Sequence, residues 1–241
     1  QCLARSDSAY RLCREKMRIT ESKVKQIMKI GLPAGFQGAI FSVSNVLIQS
    51  SINSFGSIAM AGSTASANVE GFVYNAMNAV YQTTLSFTSQ NYGAGKMDRV
   101  TKILLDCLGL VVLVGVVMGG GAVLLGPKLL QIYSSDPEVI SYGMMRMRII
   151  NGSYFLCGIM DTMVGGLRGL GYSVVPMLVS LTGACLFRVV WIFSVFAMHR
   201  TVTTLYLSYP VSWIITFTAH IICYIVIRRR MAARRKSRDE I

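Results

Sequence analysis

Glu70 and Asp161 are the residues best placed to do chemistry in this chain, because each is a carboxyl set inside a long apolar stretch. Desolvation makes an idle charge costly there, so an ionisable group in such a stretch is a functional candidate by default. In a low-dielectric cavity a carboxyl can take up and release a proton or a bound cation as its surroundings change. Asp161 lies seven residues before Arg168, hence about 10 Å from the expected cytoplasmic boundary at 1.5 Å per residue. Glu70 lies near the outer end of its stretch. Counting fourteen residues from Val174 puts Arg188 about 21 Å deep, a depth close to that of Glu70. That depth allows a Glu70–Arg188 salt bridge, with Arg188 serving as structure; if it forms, Asp161 is the better coupling carboxyl, and otherwise Glu70 and Asp161 are equal candidates.

The other titratable residues suggest less. Asp106 follows Lys102 by four positions, the spacing of an ordinary helix-surface pair. Arg146 and Arg148 can snorkel to the outer interface. His220 has no acid or cysteine at metal-ligand spacing, so no metal site is expected. Gly93-Ala94-Gly95-Lys96 lacks the Ser or Thr and the earlier glycine of a phosphate loop, because Met97 stands next. No Ser, Cys and His are grouped as a nucleophile would need, and neither an enzyme nor a cofactor is expected. Neutral polar residues are more suggestive. Gln37, Asn45 and Gln49 in the first apolar stretch, and Asn75 and Asn78 in the second, must face other helices or water.

The elements that position these residues are six stretches, roughly residues 30–55, 66–91, 103–125, 142–166, 174–197 and 203–227, each long and apolar enough to cross a bilayer. Composition agrees: 53% hydrophobic and 15% charged residues, with a mean hydropathy of +0.50, are too apolar for a soluble domain of this length. The reading is an all-α polytopic membrane protein, a bundle of six transmembrane helices. The net charge of +13 does not imply nucleic acid. Residues 1–29 carry eight basic and three acidic groups, and residues 228–241 carry seven and two, so each end supplies +5. Lys and Arg flanking spans stay on the cytoplasmic side, which predicts both ends inside and an even number of crossings. The chain then divides into a cytoplasmic basic connector over 1–29, a transmembrane lobe over 30–227 and a cytoplasmic basic tail over 228–241 that also touches anionic headgroups of the membrane lipid. Pro33 is expected near the start of the first span, and Pro210 is expected to kink the last. The six cysteines, Cys2, Cys13, Cys107, Cys157, Cys185 and Cys223, form no C-x-x-C pair and read as free packing residues. The run from Tyr10 to Lys29 reads as an internal connector, which suggests part of a longer protein.

Four segments carry a resemblance. GGLRGLGYSVVP, Gly165 to Pro176, resembles the inner turn between the fourth and fifth helices of a lobe in multidrug and toxic compound extrusion (MATE) transporters. SFTSQNYGAGKMDRV, Ser86 to Val100, is similar to that family's Gln-Asn-x-Gly-Ala junction, YPVSW from Tyr209 to its last-helix motif, and GLPAGFQGAIFSVSNVLIQSSINSFG from Gly31 to the opening of its carboxy-terminal lobe. The match runs in order over residues 30–227. It implies one lobe of a twelve-helix transporter, helices seven to twelve, with the amino-terminal lobe as a missing partner. It also marks Arg168, Gly169, Gly171, Pro176, Tyr209, Pro210 and Trp213, with Arg188, as structural candidates. Some branches place an acid in the first helix of this lobe. Here that helix has only amides and hydroxyls, so Glu70 and Asp161 rest on their own location.

Taken together, these features predict a secondary antiporter of the cell membrane that exports small organic molecules, often cations, in exchange for H⁺ or Na⁺. An exporter or flippase of lipid-linked oligosaccharide is the first alternative. It ranks lower because such a cavity wants arginines and only Arg188 is expected to lie deep. A membrane-anchored basic binding module ranks last.

Overall fold

The computed structural model describes residues 19–239, with side chains through residue 233. Among the described residues every element is helical. Helix α1 spans Glu21–Asn53, α2 Ser57–Gly93 and α3 Met97–Leu124. A short α4, Gly126–Gln131, leads to a fourth rod made of α5, Pro137–Ile150, and α6, Tyr154–Gly169, joined by the 3₁₀ turn Asn151–Ser153. The fifth rod joins α7, Val174–Ser180, through the π-helical turn Leu181–Leu186 to α8, Phe187–Phe193, and α9, Val195–Met198. The sixth is α10, Val202–Asp239.

These six rods correct the sequence expectation in two respects. Four of them, Glu21–Asn53, Met97–Leu124, Val174–Met198 and Val202–Ala233, are long and apolar enough to cross a membrane when each is taken alone. The second and fourth rods are not in that group: polar residues interrupt the second, and the turn at Asn151–Ser153 divides the fourth into helices of 14 and 16 residues. The second difference concerns Pro33. Helix α1 begins at Glu21, so Pro33 lies within it rather than at its start. Pro210 lies inside α10, as the sequence places it.

Helix α2 is the central rod, buried along a stripe that includes Ala59, Ser63, Ser66, Val69, Val73, Met77, Val80, Thr84 and Thr88. That spacing of three and four puts them on one face. Small residues let its neighbours come close, as helix packing in lipid demands. A Cβ on Gly169 of α6 would lie 2.6 Å from Thr88 Cβ, and one on Gly165 would lie 3.0 Å from the Tyr81 carbonyl oxygen. Across α3 and α6, a Cβ on Gly115 would lie 2.7 Å from Phe155 Cα. Of the three consecutive glycines in α3, Gly119 abuts the Asn151 backbone, while Gly120 and Gly121 meet nothing within 4 Å.

Helix α1 is packed far more thinly. Only Ser44, Ile48 and Ile52, one residue per turn, are buried. Near its start it is tied down by Ser173 Oγ, which donates to the Ile30 carbonyl over 2.9 Å. Ser173 sits in the turn after α6, where Gly171 takes φ +86°, a left-handed conformation that glycine adopts without steric cost. Two apolar clusters close the bundle. The larger includes Val73, Met77, Val111, Met147, Ile150, Tyr154, Tyr206 and Trp213, and the smaller joins Val100, Leu104, Met163, Leu167, Leu170, Tyr224 and Ile227 at the end where α10 leaves the bundle.

Candidate functional site

Between α1 and the face formed by α2, α5, α6, α8 and α10 lies a cavity of about 640 Å³. Helix α2 contributes Glu70, Tyr74, Asn78 and Tyr81, at intervals of four, four and three residues, so that one helical stripe faces the space. Helix α6 contributes Cys157, Met160, Asp161, Val164 and Arg168, while Gln37, Asn45 and Gln49 of α1 stand opposite. Asn75 is not among them. Five residues after Glu70, it lies about 140° round the helix and is exposed on the outside of the bundle.

The charges pair differently from the expected pattern. Glu70 is held by Arg146, whose Nη2 donates to Oε2 over 2.9 Å and whose Nε donates to the same oxygen over 3.3 Å. Arg146 Nη1 donates to Ser63 Oγ at 2.9 Å. The side chains are 8% and 13% exposed, so this is an interior ion pair, and Arg146 does not snorkel outward. Arg148, two positions on, is exposed. Lys102 and Asp106 are both exposed and form no ion pair among the described residues.

Arg188, expected on Glu70, sits elsewhere. Its Nε donates to Ser212 Oγ at 3.0 Å, and its guanidinium lies 4.1 Å from the Tyr209 ring centroid and 5.8 Å from that of Trp213. Tyr209, Ser212 and Trp213 belong to the YPVSW segment, so those residues form a seat for one buried arginine. Trp213 also packs edge-on against Tyr154, with centroids 5.5 Å apart.

Arg168, expected in a cytoplasmic turn, ends α6 and reaches into the cavity. Its Nη1 donates to Tyr81 Oη at 2.8 Å and its Nη2 to Gln37 Oε1 at 2.9 Å. One guanidinium thus bridges three helices. Asp161 lies two turns before it on the same face of α6. Asp161 lines the cavity and makes no ion pair or side-chain hydrogen bond among the described residues.

The remaining candidates lie outside the cavity lining. Gly169 and Gly171 shape the end of α6, Pro176 is buried in the first turn of α7, and Pro210 lies next to Tyr209 in α10. His220 is fully buried with Nε2 3.1 Å from Ser180 Oγ. Among the described residues no group of His, Cys, Asp or Glu is arranged to hold a metal. Cys107, Cys157 and Cys185 are buried and unpaired, and Cys223 is half-buried and unpaired. Cys2 and Cys13 lie outside the described residues. Sequence reasoning missed Tyr74, Tyr81 and Tyr154 as lining residues, because a tyrosine in an apolar run reads as core. The signal available was their helical phase with Glu70 and Asp161.

The MatE family model matches residues 33–194. A protein described as a probable multidrug resistance protein NorM, from Thermotoga maritima, is 26% identical over 159 residues, which cover 66% of this chain and 34% of that protein. Among solved structures, the Vibrio cholerae MATE transporter VcmN in its bent form superposes with a TM-score of 0.80 at 18% identity, over 92% of this chain and 50% of that one. An outward-facing multidrug resistance transporter of the same family superposes with a TM-score of 0.81 at 14% identity, over 98% and 52%. The chain spans a third to about half of the length of these relatives.

Proposed function

Because the chain belongs to the MatE family, we propose that it forms the carboxy-terminal lobe of a secondary antiporter that exports small amphiphilic molecules, organic cations among them, in exchange for H⁺ or Na⁺. The observation that carries this reading is the contrast between two cavity carboxyls. Glu70 is occupied by Arg146, whereas Asp161 has no partner among the described residues and faces the open space. A carboxyl so placed can bind a cationic substrate in one state and a coupling ion in the other. Gln37, Asn45, Gln49 and Asn78 supply neutral hydrogen-bonding groups around it, and the aromatic rings of Tyr74, Tyr154, Tyr209 and Trp213 supply apolar faces. A missing lobe would form the facing wall. The concentration of Lys and Arg towards the two ends of the chain supports a plasma-membrane orientation with both ends cytoplasmic, residues 1–29 acting as connector and 228–241 as a tail on anionic lipid.

The test is export of a fluorescent drug from efflux-deficient cells expressing the full-length protein, with and without Asp161→Asn. Loss of ion-driven export in the variant is the expected result. Unchanged export removes Asp161 from the mechanism, and absence of export by the wild type rejects the efflux reading.

A second reading, export of a lipid-linked oligosaccharide, draws support from three arginines in the lining where one was expected. It ranks lower, because Arg146 is neutralised by Glu70 and the Nη groups of Arg168 are engaged by Tyr81 and Gln37.

A further inference from the structure

We infer that Arg188 is an oxyanion subsite in the cavity, so that the exported molecules include zwitterions whose carboxylate it grips while their cationic group faces Asp161. The inference rests on the efflux reading and adds a substrate class to it. Arg188 is 3% exposed, yet it lines the open space. Of the five N–H donors of a guanidinium, the one on Nε is spent on Ser212 Oγ. The four on Nη1 and Nη2 have no hydrogen-bond partner among the described residues, and no carboxylate there lies within ion-pair distance.

Such a charge is costly to bury uncompensated, and the nearby faces of Tyr209 and Trp213 offset only part of that cost. The group is also pre-set in orientation. Ser212 Oγ donates its own hydrogen to the Tyr209 carbonyl at 2.7 Å, which turns its lone pairs toward Arg188 Nε. With Nε anchored and the plane held by Tyr209, the two terminal amino groups present a fork whose geometry matches the two oxygens of a carboxylate. Glu70 cannot supply that anion, because Arg146 holds it. Among the described residues no carboxylate pairs with Arg188, and a carboxylate that enters the cavity fits the fork.

The test is equilibrium binding to the full-length protein in phosphatidylcholine nanodiscs, read by fluorescence anisotropy of dansyl-lysine and of its methyl ester. The two probes share the cationic amine and the aromatic group and differ in the carboxylate. The wild type is expected to bind the acid about tenfold or more tightly than the ester, as a charge-assisted hydrogen-bonded pair implies. Arg188→Gln is expected to lose that preference while still binding the ester, which also shows that the variant folds. Arg188→Lys keeps the charge but not the fork, and is expected to retain only part of the preference. Equal binding of acid and ester by the wild type overturns the inference without any variant, as does an undiminished preference in Arg188→Gln. Loss of the preference when phosphatidylglycerol replaces phosphatidylcholine assigns the fork to a lipid phosphate and overturns the substrate assignment. Binding of neither probe by the wild type counts against the efflux reading itself.

Discussion

Glu70 Oε2 accepts both the Nη2–H and the Nε–H of Arg146, across 76 residues of chain, while the remaining arm of that guanidinium holds Ser63. The pair therefore fastens α2 to α5 on the side of the cavity. Removing one partner of a buried ion pair leaves an uncompensated charge and costs about 3–5 kcal/mol. Arg146→Ala is expected to lower the thermal unfolding midpoint of the detergent-solubilised protein sharply. Glu70→Gln keeps an acceptor and is expected to lower it less. Equal midpoints for Arg146→Ala and wild type would show that the pair contributes nothing.

Asp161 should behave in the opposite way. Because no described group depends on it and an unpaired charge there is costly, Asp161→Asn is expected to leave the unfolding midpoint unchanged or to raise it. In proteoliposomes the same variant is expected to lose uptake driven by an imposed H⁺ or Na⁺ gradient. Whichever gradient drives the wild type and fails in the variant identifies the coupling ion.

Arg168 bridges Tyr81 of α2 and Gln37 of α1, and α1 has few other attachments. A hydrogen bond to a charged group contributes about 1.5–3 kcal/mol. A double-mutant cycle of Arg168→Ala and Gln37→Ala, measured by unfolding of the full-length protein, is expected to show coupling of about 1–2 kcal/mol, allowing for the half-exposed position of Arg168. Additive single effects would mean that Gln37 is free to act as a substrate ligand.

Glycine substitutions separate contact from composition. Gly169→Ala drives a Cβ to 2.6 Å from Thr88 Cβ and 3.1 Å from the Leu85 carbonyl oxygen, and overpacking of that kind costs about 1–3 kcal/mol. Gly120→Ala meets nothing within 4 Å and is expected to be neutral or to stabilise by up to about 1 kcal/mol through helix propensity. Similar unfolding midpoints for the two variants would refute the close approach of α6 to α2.

Much of the cavity lining is legible in the sequence. Gln37, Asn45, Gln49, Glu70, Asn78 and Asp161 stand out because polar groups in apolar helices must turn away from lipid, and all six line the space. Asn75 obeyed the same composition rule but not the helical phase. Arg146 took the place expected of Arg188 beside Glu70, and Arg188 turned to Ser212 and Tyr209, because counting residues along a helix gives depth and says nothing about direction around the axis.

The sequence by itself determined the helical rods, their order and the concentration of positive charge at the chain ends, since apolar runs and helical hydrogen bonds are local properties of the chain. Only the tertiary structure decided that Glu70 meets Arg146, that Arg168 spans three helices and that Arg188 lies over Tyr209. Those contacts depend on the rotation and spacing of whole helices, which are set by where side chains such as those missing at Gly165 and Gly169 let one backbone approach another.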